Sequence, residues 1–97
     1  MPTYIMHFNF TQQRVTDIKD MPKGVDAFKQ DLQQAGGQLK GFYMVTGEYD
    51  TIAIVEAPSD EAIAKLALTT AALGNVRTKT MRGFTEDEYR KIIAELP

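Results

Sequence analysis

The feature that most constrains the fold is a glycine-led turn set between two apolar runs. The turn is GEYD, residues 47–50; residues 42–45 (FYMV) precede it, and residues 52–55 (IAIV) follow it. A turn that begins with glycine between two β-rich runs is typical of a β-hairpin. The centre of the fold is therefore predicted to be a pair of antiparallel strands, over residues 39–46 and 51–56.

Two outer strands and two main helices are predicted around this hairpin. Residues 3–10 are β-rich, and residues 76–81 alternate between small and basic side chains, so each segment is predicted to be a strand. A capping aspartate, Asp20, and a first-turn proline, Pro22, begin one helix. Its apolar stripe is Val25, Phe28, Leu32 and Ala35, and the Gly36-Gly37 pair ends it.

The second main helix is predicted to begin after Ser59 and to end at Gly74. Its inner stripe consists of Ile63, Leu66, Ala67, Thr70 and Leu73.

Two shorter helices are predicted elsewhere in the chain. Thr11 can cap a short helix that carries Val15 and Ile18. Thr85 and Glu88 have the spacing of a capping box, which indicates a terminal helix. The apolar residues of that terminal helix are Tyr89, Ile92, Ile93 and Leu96.

The resulting order, β-α-β-β-α-β plus a C-terminal helix, predicts an α+β fold of the ferredoxin-like type. Four antiparallel strands would carry two helices on one face, in a single domain over residues 1–97.

Both sets of alternating side chains in the first strand are at least partly apolar: Tyr4, Met6, Phe8 and Phe10 on one face, and Ile5, His7 and Asn9 on the other. Because helices cover only one face, we expect a second copy to cover the other in an isologous homodimer, with the terminal helix as a possible reinforcement. A polar-lined pocket could remain between the facing sheets, and a larger assembly of dimers stays open.

Composition narrows the classes of function. The formal net charge is −2, from 11 basic and 13 acidic residues, whereas nucleic-acid binders usually carry a basic excess. The absence of cysteine excludes disulfides, thiolate nucleophiles, zinc–cysteine sites and iron–sulfur clusters. No apolar run is long enough to span a membrane, and no signal peptide is evident at the N-terminus. We therefore expect a cytoplasmic protein with no nucleic-acid or membrane partner, and neither a cofactor nor a metal site is predicted.

Several segments resemble the GYD-domain family, which takes its name from a Gly-Tyr-Asp pattern. The main one is residues 46–58 (TGEYDTIAIVEAP), in which Gly47, Tyr49 and Asp50 match the pattern with Glu48 inserted. The likeness continues through residues 74–84 (GNVRTKTMRGF), with shorter stretches at KDMPK and GQLKG. The resemblance implies a dimeric α+β barrel. It implies no single activity, because structural relatives of that fold include cofactor-free monooxygenases, isomerases, haem enzymes and ligand-sensing domains.

His7, the only histidine, is the best candidate for a catalytic base. In the middle of a strand, it points either into the helix-covered core, as a packing residue, or towards the barrel interior. The core position is the favoured interpretation. No local spacing supplies the carboxylate partners that a metal site would need.

The other candidate ligand-binding residues each have two interpretations. Tyr49 and Asp50 either serve the turn, with Asp50 bonding backbone amides, or lie at the mouth of a cavity. Arg77 and Lys79 share one strand face, either as edge-strand charges or as partners for an anionic ligand. Tyr43 is predicted to be an interface or core residue.

Three functions remain open from the sequence. The first is a homodimer that binds a small apolar or weakly acidic molecule between facing sheets, without catalysis. The second is a cofactor-free monooxygenase or isomerase with His7 as base, for which Tyr49 and Asp50 orient the substrate. The third is a protein-interaction or regulatory module that docks through an edge strand or the terminal helix.

Overall fold

The computed structural model describes residues 1–97. The elements are, in chain order, β1 (Thr3–Phe10), α1 (Gln12–Thr16), a 3-10 turn (Ile18–Asp20), α2 (Met21–Gln34), β2 (Gln38–Met44), β3 (Thr51–Glu56), α3 (Asp60–Ala72), β4 (Val76–Gly83) and α4 (Glu86–Ala94). The predicted order of elements is confirmed.

All four strands form one antiparallel sheet in the order β2-β3-β1-β4. The two β-α-β halves interleave, so that the first and third strands are central and β2 and β4 are edges. This arrangement confirms the α+β ferredoxin-like fold.

The core lies between one face of the sheet and helices α2 and α3. Its ten buried residues are Tyr4, Met6, Phe8, Phe28, Leu32, Ala53, Val55, Ala57, Ile63 and Leu66. The rings of Phe8 and Phe28 meet edge to face, with centroids 5.6 Å apart. At the edge of this core the Tyr4 hydroxyl donates a hydrogen bond to the Asp60 carboxylate, which raises the pKa of Tyr4. This bond ties the start of α3 to the sheet.

Helix capping follows the sequence closely, with one exception. The Ser59 hydroxyl accepts the Ala62 N–H at 3.2 Å, and both hydrogen bonds of the Thr85–Glu88 capping box are present. The second of these, from the Thr85 N–H to the Glu88 carboxylate, lowers the pKa of Glu88. Asp20 occupies the N-cap position of α2 but makes no side-chain capping bond, because the preceding 3-10 turn leaves it at ψ 0° instead of extended.

The short helix α1 differs from the prediction. It ends at Thr16, and Ile18 begins the separate 3-10 turn, so one helix does not carry both Val15 and Ile18. Both of these apolar side chains are exposed, while the buried residue of α1 is Arg14.

Helix α4 contributes nothing to the core, since none of its residues is buried. Its predicted apolar residues, Tyr89, Ile92, Ile93 and the following Leu96, are all exposed. The molecule is elongated, measuring 52 × 30 × 17 Å along its principal axes. None of the helices has both the length and the apolar character required to cross a membrane.

Candidate functional site

The sheet face opposite α2 and α3, termed here the open face, carries two rows of side chains that cross all four strands. The pairing register places Tyr43, Ile52, His7 and Lys79 side by side in what we term the histidine row. The same register places Gly41, Ile54, Ile5 and Met81 in the neighbouring apolar row. No buried helix residue packs on this face. Tyr43 and Met81, at the ends of the two rows, are 58% and 52% exposed.

His7 lies on the open face, so the favoured one of its two predicted orientations, into the helix-covered core, is wrong. Strand alternation decides the point, because Met6 and Phe8 on either side of it are the residues that enter the core. His7 is nevertheless only 8% exposed, since the Tyr49 ring lies over it with centroids 4.3 Å apart. Its Nδ1 atom is buried and has no hydrogen-bond partner. A buried, unpaired imidazole nitrogen is costly, so this site is unsatisfied within the single chain.

The GEYD turn is fastened to the end of β1. Gly47 has a φ of 113°, a conformation that favours glycine. The Asp50 N–H donates to the Phe8 carbonyl at 2.9 Å, and its carboxylate accepts the Phe10 N–H at 2.7 Å. Asp50 thus bonds a backbone amide, as the turn interpretation expects. These bonds hold Tyr49 in position over His7.

The positions of Arg77 and Lys79 on β4 are compatible with both of their predicted roles, as edge-strand charges and as partners for an anionic ligand. Strand β4 is an edge, and Arg77 and Lys79 are exposed on its open face. Lys79 is paired with His7 across the strands, and its Nζ lies 5.7 Å from the centroid of the Tyr49 ring. Arg77 lies opposite Asn9, one step beyond the histidine row.

The structure therefore brings His7, Tyr49, Lys79 and Tyr43 onto one surface, while Asp50 is engaged with the backbone of β1. No three His, Asp or Glu side chains come together in a group that could hold a metal ion. The open face instead combines an apolar row with a polar, aromatic row. Such a surface is suited to burial against another molecule.

The burial of Arg14 was not predicted from the sequence. On the helix-covered side, Arg14 lines a cleft between α2, the end of α3 and the sheet. An arginine in a short polar segment gives no sequence signal of burial, because charged side chains are usually solvated.

These observations define an α+β fold with a four-stranded antiparallel sheet, one face of which no helix covers. A model of the GYD domain matches residues 4–93, and the chain belongs to that family. The resemblance carried by residues 46–58 is thereby confirmed.

Comparison with individual proteins extends this assignment. The chain is 29% identical over 82 residues to a Thermus thermophilus protein named glutamine synthetase and cystathionine beta-lyase binding protein. That match covers 84% of this chain and 86% of the Thermus protein.

Solved structures share the fold at low sequence identity. MtbAldR superposes with a TM-score of 0.62 at 16% identity, over 88% of this chain and 54% of its own. The Mycobacterium tuberculosis leucine response regulatory protein LrpA gives 0.54 at 19% identity, over 89% and 54%. This chain therefore spans about half the length of both. TTHA0845 from Thermus thermophilus gives 0.57 at 24% identity, over 88% and 95%.

Proposed function

We propose that this chain is a homodimeric protein-binding module, in which the open faces of two copies meet and the assembled dimer binds a partner protein. The observation that carries the proposal is the uncovered apolar row. Ile5 and Ile54 sit opposite each other at its centre, both are half-buried in the single chain, and neither belongs to the core between the sheet and the helices. A second copy that offers the same row would bury both sets of side chains in an isologous contact.

The open face alone has a smaller area than a typical stable protein–protein interface, so the dimer needs a further contact surface. Four strands span about 19 Å and the eight residues of β1 about 27 Å, so the sheet offers roughly 500 Å² of flat area per copy. A stable interface typically buries about 800 Å² per partner. The exposed apolar stripe of α4 is the natural source of the remainder, since it has no contact of its own to protect it.

The protein-binding part rests on the relative in Thermus thermophilus, whose name describes it as binding two enzymes. No group of potential metal ligands is present, and Asp50 is committed to the turn. These features favour an interaction surface over a catalytic centre.

A charge placed in the apolar row tests the dimer. Ile54→Lys sets an ammonium group against the same row of the second copy, while a single copy can leave that lysine solvated. Leu68→Lys, on the exposed surface of α3, is the matched control. Light scattering after gel filtration should give a dimer for the wild type and for L68K, and a monomer for I54K. A wild-type monomer, or an I54K dimer, would contradict the proposal.

Partner binding is tested with purified enzymes. Glutamine synthetase and cystathionine beta-lyase from the organism of this chain would be immobilised in turn and exposed to wild type, I54K and L68K. We expect saturable binding of wild type and L68K to at least one enzyme. Failure of the wild-type dimer to bind either would remove the support that the Thermus relative gives.

A second candidate is a small apolar or weakly acidic molecule held between the facing sheets at the histidine row. The unpartnered Nδ1 of His7 and the cationic Lys79 favour it. His7→Phe keeps the ring packing against Tyr49 but removes both nitrogens, so it should abolish binding of such a molecule and leave the dimer intact. Catalysis by His7 as a base would further require Tyr49 to move, because His7 is almost fully covered.

A further inference from the structure

The cleft on the helix-covered side is a second place where the chain is incomplete. Its volume is about 80 Å³ and it is open to solvent on one side, so it suits the end of a small ligand whose remainder stays partly exposed, and it is smaller than the roughly 300–1,000 Å³ of drug-sized sites. Seven of its twelve lining residues are hydrophobic, including Phe8, Phe28 and Phe42. It lies on the opposite side of the sheet from the open face, so a ligand bound there does not depend on the proposed dimer.

Arg14 is the only charged residue that lines this cleft. Its side chain is 9% exposed, although a guanidinium group carries five N–H donors and a permanent positive charge. It makes one hydrogen bond, from Nη1 to the Asp17 carbonyl at 3.4 Å. No carboxylate forms an ion pair with it, since the ion pairs of the chain are Lys40–Glu56 and Arg90–Glu86.

A buried cation without a counter-charge is destabilising, and arginine side chains are rarely buried unless they are paired. One alternative is that the Arg14 stem packs on apolar surface while its head reaches water. The guanidinium keeps a small contact with water, because none of its nitrogens is a fully buried atom without a hydrogen-bond partner, but no carboxylate neutralises its charge. Nη2 lies beside Gly24, at 3.7 Å from the position that a Cβ would take there.

We propose that this cleft binds a small monocarboxylic acid with an apolar body, and that the carboxylate pairs with the Arg14 guanidinium. Two parallel N–H donors of arginine match the two oxygens of a carboxylate, and the bond is charge-assisted. The apolar body of the acid lies along Phe8, Phe28 and Phe42. The bound acid supplies the counter-charge that the chain itself lacks.

The experiment uses octanoate as the probe and 1-octanol as its uncharged match. Each is titrated below its aggregation limit into the isotopically labelled full chain, and the backbone amides are followed by NMR. Octanoate should perturb Gly24, Leu73 and Asn75, which line the cleft, and should bind at least about tenfold more tightly than octanol. Perturbation only at other surfaces, or equal affinity for both probes, would overturn the proposal.

Two variants test separately how much the Arg14 charge and the space in the cleft contribute to binding. Arg14→Gln should reduce octanoate affinity at least about tenfold and leave octanol binding unchanged. Gly24→Leu should weaken the binding of both probes, because the leucine side chain fills the cleft beside Arg14. The helix itself is not expected to be destabilised, since leucine is a better helix former than glycine. Lys23→Gln removes an equal charge from an exposed residue adjacent to Gly24 in the sequence, and it should bind both probes as the wild type does. Octanoate binding that survives both R14Q and G24L would refute the site.

Discussion

Gly37 marks the point where the chain leaves α2 and comes closest to the sheet, and adding one methyl group there has a calculable cost. A Cβ on Gly37 would lie 2.5 Å from Leu32 Cδ1 and 2.6 Å from the Glu56 carbonyl oxygen. Real Cβ atoms do not approach other atoms so closely. Gly37 does not have a positive φ, so the requirement for glycine is steric and not conformational.

The size of the effect follows from which atoms can move. Leu32 is 1% exposed and packed in the core, so its rotation would disturb the neighbouring side chains. The Glu56 carbonyl belongs to the β3 backbone and cannot rotate away. Overpacking typically costs 1–3 kcal/mol, and with two close contacts we expect Gly37→Ala to lie near the top, about 3 kcal/mol.

The assay is urea unfolding of wild type and variant at one fixed protein concentration, since association changes apparent stability. The control is Gly24→Ala, whose nearest contact would be an ordinary 3.7 Å. Within a helix this control should stabilise by about 0.5–1 kcal/mol. A G37A variant within about 0.5 kcal/mol of wild type, with an unchanged m value, would refute the steric reasoning.

The remaining predictions concern hydrogen bonds. Tyr4→Phe removes the bond to the Asp60 carboxylate and should cost about 1–2 kcal/mol. Folding raises the pKa of Tyr4 above its ordinary value of 10.0, so this stabilisation is present below pH 10.0 and is lost as the pH rises through the folded pKa. The difference in unfolding free energy between wild type and Y4F, measured by urea unfolding, should therefore shrink as the pH rises through the alkaline range. Asp50→Ala leaves the Phe10 N–H without its acceptor, so the free energy of unfolding, measured by heat or urea, should fall by about 1–3 kcal/mol. Asp50→Asn keeps an oxygen acceptor, so its free energy of unfolding should fall by less. Thr85→Ala removes the cap of α4, and since no packing compensates, NMR chemical shifts should report a lower helix population in α4 with the sheet unchanged.

The elements that the sequence predicts well are those whose signals are local. The cap at Ser59, the capping box at Thr85 and the glycine of the GEYD turn act within a few residues of themselves. Alternation in β1 correctly divides its side chains into two faces. It cannot say which face the helices cover, and for that reason both orientations of His7 stayed open and the wrong one was favoured.

The parts that the sequence could not predict depend on long-range contacts. Tyr49 covers His7 only because Asp50 fastens the turn to the end of β1, some forty residues away. The burial of Arg14 depends on the cleft between α2, the end of α3 and the sheet, which no periodicity in a five-residue helix reveals. The apolar residues of α4 have the expected spacing, yet they remain exposed because the chain offers no surface for them.

The Gly47, Tyr49 and Asp50 motif acquires a physical meaning from these contacts. Gly47 adopts the positive φ of the turn, Asp50 accepts a β1 amide, and Tyr49 forms part of the open face. The motif therefore shapes one end of the surface on which the proposed dimer depends.

Sedimentation equilibrium of the unmodified chain over a dilution series tests the proposed dimer most directly. The uncovered apolar row predicts a species of twice the chain mass at micromolar concentration, with dissociation only on strong dilution. A single-chain mass that persists at the highest attainable concentration would contradict the central claim, because the open face would then be stable in water without a second copy.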